Sequence, residues 1–183
     1  SSPEEEAADQ QVVEGDEEQR LEAFRRVLAV LNTERATATA TLEAAAPAAR
    51  PKGMGGLSYE TIEREVGDWN RFENRRQVAS YTGLCGGVSA SGRTMQMLSI
   101  TKHGNVRLRT VLVELAWRLV MWQRNCKLVQ KWWHILGNPR SSKAARKKAI
   151  VAIARQMAVD LWRWRTGRVK PEQLGWTMVG LEG

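Results

Sequence analysis

Two stretches of this 183-residue chain combine residue types that can work on phosphate. The first is Ser89-Ala90-Ser91-Gly92-Arg93, followed by Thr101-Lys102-His103-Gly104-Asn105 and Arg107-Leu108-Arg109. A serine hydroxyl can attack a DNA phosphodiester and hold it as a phosphoserine ester, conserving the bond's energy for rejoining. The attack needs an activated hydroxyl and cations that neutralise charge developing on phosphorus. Arg93, Lys102, Arg107 and Arg109 are the candidate cations. Backbone N–H groups of a helix opening after Gly104, with Asn105 at its head, are candidate donors. Ser-Gly pairs are also common turn chemistry, so a purely structural turn stands beside the catalytic reading.

The second stretch is Gly53-Met54-Gly55-Gly56-Leu57-Ser58, flanked by helical patterns. In a helix-hairpin-helix, glycines let the backbone approach a phosphate, and the following helix meets the anion with the favourable end of its dipole. Gly53, Gly55, Gly56 and Ser58 are therefore candidates for gripping a DNA backbone, which supplies position and not base specificity. A plain glycine-rich turn is the alternative.

Other chemistries lack their residues. The chain has no nucleotide P-loop, no zinc-protease helix and no ordered Ser/His/Asp set. His103 and His134 have no ligand-spaced partners, and Asp68 and Asp160 no evident acidic partner. Cys85 and Cys126 are far apart, which argues against a disulfide framework and a zinc knuckle and for a reducing cytoplasm.

Charge and aromatics divide the chain. Residues 1–50 hold eleven acidic and five basic residues, whereas residues 51–183 hold nine acidic and 23 basic. All eight tryptophans lie at or beyond Trp69. A basic, Trp-rich body with pI near 10.0 points to polyanions before membranes. Glu114 and Arg118 interrupt the most apolar run, Val111 to Met121, so no membrane span is expected. The chain opens Ser-Ser-Pro and not with Met, which reads as a trimmed piece of a longer protein.

The elements that must position these residues read as all-α. Residues 1–15 lack apolar period and are expected to be disordered. Asp16 to Gln19 resembles a capping box, and Leu21, Phe24, Leu28 and Leu31 then form an a/d seam. Residues 16–50 are thus a linking, coiled-coil-like helix, with self-association through 16–46 as a hypothesis, and 51–183 are the helical body. Ser58 is expected to cap a helix ending at Gly67, and a short helix spans about Asn74 to Tyr81. Residues 83–100 read as a Gly/Ser-rich loop. A long helix follows Asn105 with Leu108, Leu112, Leu115, Leu119 and Trp122 inward, continuing or re-forming through Leu128. Gly137-Asn138-Pro139 breaks it, and Ser142 caps a last helix with Ile150, Ile153, Met157, Leu161 and Trp164 inward. Trp117, Trp122, Trp162 and Trp164 are expected mostly in the core.

These pieces also resemble a known family. Gly53 to Ser58, Glu65-Val-Gly-Asp68, Trp69-x-x-Phe72, Arg76 to Tyr81, Gly83-Leu84, Ser91-Gly92, Ile100 to Asn105 and Leu108-Arg109 fall in order. Over about residues 53–176 the chain resembles the C-terminal transposase domain of insertion-sequence recombinases with a RuvC-like N-terminal domain, whose better-known members are guided by a bridge RNA. The last helix, from Arg146 through Leu161-Trp162, is similar to their closing segment. The resemblance implies that Ser91 is the nucleophile that joins covalently to DNA. It places a divalent metal, Mg in expectation, in a RuvC-like domain and not in this chain. It also implies double-stranded DNA as partner, a guide RNA as a further one, and a coiled coil at residues 16–46. Two features depart from it: Gly56 and Gly86 stand where the family usually has proline, and nothing before residue 16 suits a RuvC-like domain.

The expectation is a transposase or site-specific recombinase of the bacterial cytoplasm, associated with the nucleoid and inactive without its metal-binding domain. The alternative is a non-enzymatic nucleic-acid-binding helical module or an inactive transposase remnant. Both predict salt-sensitive binding to DNA, so binding alone does not separate them.

Overall fold

The computed structural model describes residues 3–91, 94–100 and 103–180, with side chains described over 16–85 and 103–180. The chain divides into two compact units, Ser1–Leu42 and Glu43–Gly183. The fold is predominantly helical, as the sequence predicts.

The first unit is most of one helix, α1 (Pro3–Ala45). Proline suits the first helical position because its missing N–H would be unpaired there in any case. The helix therefore starts well before Asp16, and the segment expected to be disordered belongs to it. Within the Thr-rich stretch Thr33, Thr37 and Thr41 each donate a hydroxyl to the carbonyl four residues earlier, at 2.9–3.0 Å, so the hydroxyls are satisfied inside the helix.

The second unit is built on three C-terminal helices. These are α4 (Val106–Trp122), α5 (Lys127–Leu136) and α6 (Lys143–Arg165), preceded by α2 (Gly56–Val66) and α3 (Arg75–Thr82). Helix α6 is central, with α3, α4 and α5 packed against it. Leu108, Leu112, Leu115 and Leu119 of α4 meet Ile150, Ile153, Met157 and Leu161 of α6, all buried, as the helical period predicts. Asn74, Asn105 and Ser142 cap α3, α4 and α6 with side-chain oxygens. Helix α4 ends at Trp122 and α5 restarts after Cys126, so the long helix re-forms and does not continue.

Two short antiparallel pairings flank the helices. Strand β1 (Arg50–Pro51) pairs with β4 (Met178–Val179), closing the body's two ends together. The buried Gln123 reinforces that closure: its Nε2 donates to the Lys52 carbonyl at 2.6 Å, and its Oε1 accepts from the Thr177 N–H at 2.9 Å. The second pairing corrects an expectation. Residues read as a Gly/Ser loop form a hairpin of β2 (Gly86–Ser91) and β3 (Thr94–Ile100). Val88 and Ala90 alternate with serines, and Met95 and Met97 with Gln96, a strand period diluted by small residues.

Three further expectations are corrected. Ser58 is the third residue of α2, whose N-cap is Gly55 with no side-chain cap. Trp117 and Trp122 are exposed on α4, at 46% and 57%: Trp117 lies off the leucine stripe that faces α6, and Trp122 continues the stripe but is the last residue of the helix. Trp164 is half-buried and packs edge-on against buried Trp176, with centroids 6.0 Å apart.

Candidate nucleic-acid interface

The β2–β3 hairpin leaves the helical body between α3 and α4. Its register pairs Gly86 with Ile100 at the base and Ser91 with Thr94 at the far end, with an irregularity between Gly86 and Val88. Ser91 is thus the last residue of β2 before the connection. The Ser91 side chain, Arg93 and Lys102 lie outside the described residues.

The foot of the hairpin is built with little tolerance. Gly83 ends α3 in the left-handed conformation (φ 67°), and Gly104 passes directly behind it. A Cβ on Gly104 would stand 2.5 Å from the Gly83 nitrogen and 2.6 Å from the Tyr81 carbonyl oxygen. The approach lets the Asn105 N–H donate to that same carbonyl at 3.0 Å.

Glu65 gathers the ends of three helices. Its carboxylate accepts from Asn105 Nδ2 at 2.6 Å and lies 3.5 Å from Arg107 Nη1, while its carbonyl accepts the Tyr81 hydroxyl at 2.5 Å. Asn105 Oδ1 meanwhile accepts from the Leu108 N–H at 2.9 Å, capping α4. Asn105 is thus engaged within the protein on both sides of its amide. Arg107 keeps 82% of its side-chain surface exposed although paired with Glu65. Arg109 is half-buried two residues further into α4.

Beside this hub lies an open groove of about 750 Å³. Among the described residues it is lined by Arg71, Phe72, Ser80, Tyr81, His103 and Asn105, with Gln77 and Gly104 at its margin. Arg71 stands over two rings, 4.2 Å from the Tyr81 centroid and 4.7 Å from that of Phe72. No carboxylate lines the groove among the described residues.

The glycine turn lies elsewhere. Gly53 (φ 90°) and Gly55 follow β1 and its turn, so a strand stands between α1 and α2. A Cβ on Gly53 would meet Trp122 at 3.3 Å, and one on Gly55 the Arg118 guanidinium at 3.8 Å. Gly56 is buried against Glu43 and Ala46, where a Cβ would come within 3.0 Å of the Glu43 carbonyl oxygen. Lys52 covers the exposed Trp122 ring at 5.8 Å. The turn therefore sits at the C-terminal end of α4, while Asn105, Arg107 and the hairpin sit at its N-terminal end, about 20 Å away at 1.5 Å per residue. The two candidate groups are separated along one helix and do not converge.

At the head of α6, Arg146 donates to the Asn138 carbonyl at 2.9 Å and holds the preceding loop, while Lys143, Lys147 and Lys148 are exposed. The described residues contain no cluster of His, Cys, Asp or Glu that could hold a metal ion. Among the described residues no helix is long and apolar enough to cross a membrane. Sequence reasoning missed Glu65, Arg71 and Tyr81. All three stand inside the ordered motifs, but their roles depend on partners brought together only by folding.

Residues 48–130 match the family model described as transposase, IS116/IS110/IS902 family. Two proteins of Sinorhizobium fredii whose names call them transposases are similar to the chain. The y4qE protein is 31% identical over 137 residues, covering 61% of this chain and 33% of the relative. The y4rJ protein is 34% identical over 113 residues, covering 62% and 28%. The transposase for insertion sequence element IS1111A of Coxiella burnetii is 30% identical over 110 residues, covering 60% and 29%. The chain spans about a third or less of the length of these relatives.

Proposed function

We infer that this chain is the serine-bearing, DNA-handling part of a transposase of the IS116/IS110/IS902 family. The observation that carries this is the family match over residues 48–130, which spans the glycine turn, the hairpin with Ser91 and the start of α4. The basic body supports a DNA partner.

Ser91 is the nucleophile of this account. Its hydroxyl oxygen forms a bond to a DNA phosphorus as one phosphorus–oxygen bond to the neighbouring sugar breaks. The hydroxyl gives up its proton to a base, and the departing sugar oxygen takes one up. Reversal with a different sugar hydroxyl rejoins the strand. Arg93, Lys102, Arg107 and Arg109 neutralise charge on the transferring phosphate. The Gly53–Ser58 turn holds backbone phosphate some distance along the DNA, with the N–H groups opening α2 as donors. Holding a divalent metal is a role this account does not give to the chain. That role belongs in this account to a separate RuvC-like domain, and no step here is routed through it. A guide RNA is the further partner this family assignment leads us to expect.

Self-association through α1 belongs to the same proposal. Leu21, Phe24, Leu28 and Leu31 are 54–67% exposed along α1, a seam suited to a second helix.

Strand exchange by the full-length transposase carrying Ser91→Ala tests the proposal. Loss of exchange with DNA binding retained is expected. A protein–DNA adduct that persists in the alanine variant would remove Ser91 from this role.

A further inference from the structure

We propose that the groove between α3 and the turn before α4 seats one nucleotide of a DNA strand, with Arg71 as the residue that grips its phosphate. The proposal rests on the DNA-handling reading and deepens it by naming a binding residue for the strand entering the hairpin.

Arg71 is arranged as a phosphate-binding arginine. Its guanidinium carbon stands 4.2 and 4.7 Å from the Tyr81 and Phe72 ring centroids, within cation–π range of both, which restrains where the group can sit. A guanidinium so restrained still offers its N–H edge as a fork for two phosphate oxygens. Among the described residues no carboxylate is paired with Arg71, unlike Arg107, which faces Glu65 at 3.5 Å. The rest of the groove suits an anion with a ring attached. His103 and Ser80 are exposed donors, the half-buried Tyr81 gives an aromatic wall, and no acidic group among the described lining residues opposes the charge.

Position and size agree with this occupant. A volume of about 750 Å³ lies in the range that holds one small ligand. The lining residues Tyr81 and His103 stand on the two chain segments that lead into β2 and out of β3, so a strand lying here runs onto the hairpin that ends at Ser91. Glu65 and Asn105 sit deeper and hold this floor through the Tyr81 hydroxyl and the α4 cap.

The test is binding of a fluorescent single-stranded DNA oligonucleotide to the full chain across a salt series. Arg71→Ala should weaken binding roughly tenfold, and the slope of log affinity against log salt should fall by about 0.7, one phosphate contact on a single strand. Arg71→Lys should keep the slope while losing part of the affinity, since an ammonium neither forks nor stacks as a guanidinium does. That rescue separates a charge contact from a purely structural role. His103→Ala, at an exposed position, should weaken binding without lowering the melting temperature. Arg64→Ala, an exposed arginine paired with Glu60, is the control and should bind as wild type. The binding series reads no strand exchange, so failure of the serine chemistry is read separately from failure of the groove. If Arg71→Ala does not fold, the Lys and His103 variants decide. Wild-type affinity and slope in the Arg71 and His103 variants would overturn the proposal. Tighter Arg71-dependent binding of a matched RNA strand would overturn the assignment to DNA.

Discussion

Asn105 and Glu65, forty residues apart in sequence, meet through a 2.6 Å hydrogen bond from the asparagine amide to the carboxylate. The other side of the same amide caps α4. One side chain thus joins the end of α2 to the start of the helix that follows the hairpin. Asn105→Ala removes the cap and leaves a half-buried carboxylate without its closest donor. We expect a loss of about 1–3 kcal/mol in urea unfolding. A change below a few tenths would show that the junction does not depend on this residue.

Gly104 should be nearly intolerant of substitution. A Cβ there meets backbone atoms at 2.5 and 2.6 Å, and neither neighbour is a flexible side-chain end. Gly104→Ala is expected to cost about 3 kcal/mol or more, or to prevent folding. Gly175 gives the contrast: its φ of 72° strains an alanine, but the nearest atom to a Cβ is 3.5 Å away. Gly175→Ala should cost only about 1–2 kcal/mol. Equal melting temperatures for the two variants would contradict the close-approach argument.

The contrast between these glycines bears on what could be read from sequence. The leucine stripe of α4, the Ser142 cap and the Gly67 stop follow local rules, and the structure keeps them. Gly104 looks like any turn glycine until the chain returns past Tyr81. The hairpin escaped notice because glycine and serine in β2 weaken the alternation that marks a strand. Trp122 fits a helical apolar period yet faces outward, since periodicity does not reveal where the neighbouring helix stops. That the glycine turn and the foot of the hairpin stand at opposite ends of α4, about 20 Å apart, does not show in their sequence distance. Arg71 could not be singled out, because its aromatic support comes partly from a residue on another element.

Asp160 provides a pH-dependent prediction. Burial raises its carboxyl pKa above the usual range, opposed by the Gln156 hydrogen bond and by Arg163. The folded pKa is therefore higher than the unfolded one, and the cost of holding the charge is absent below the unfolded value. That cost grows as pH rises through the folded value. Asp160→Asn avoids it and can keep the Gln156 contact. Its stability relative to wild type should rise between acid and neutral pH, read from urea midpoints across a pH series. A relative stability that falls over that range would contradict the sign.

The exposed seam of α1 makes a separable prediction. Replacing Phe24 and Leu28 together with Glu should shift the chain toward monomer in sedimentation experiments while the melting of the Glu43–Gly183 unit is unchanged. An unchanged sedimentation profile would remove α1 as the self-association element.

The central claim is that Ser91 forms a covalent bond to DNA. The most direct measurement is mass spectrometry of the full-length transposase trapped on a nicked suicide substrate, digested with protease and nuclease. A phosphorylated, nucleotide-bearing peptide with the modification on Ser91 is the predicted result. An adduct mapped to any other residue, or active strand exchange with an unmodified Ser91 peptide throughout, would contradict the account.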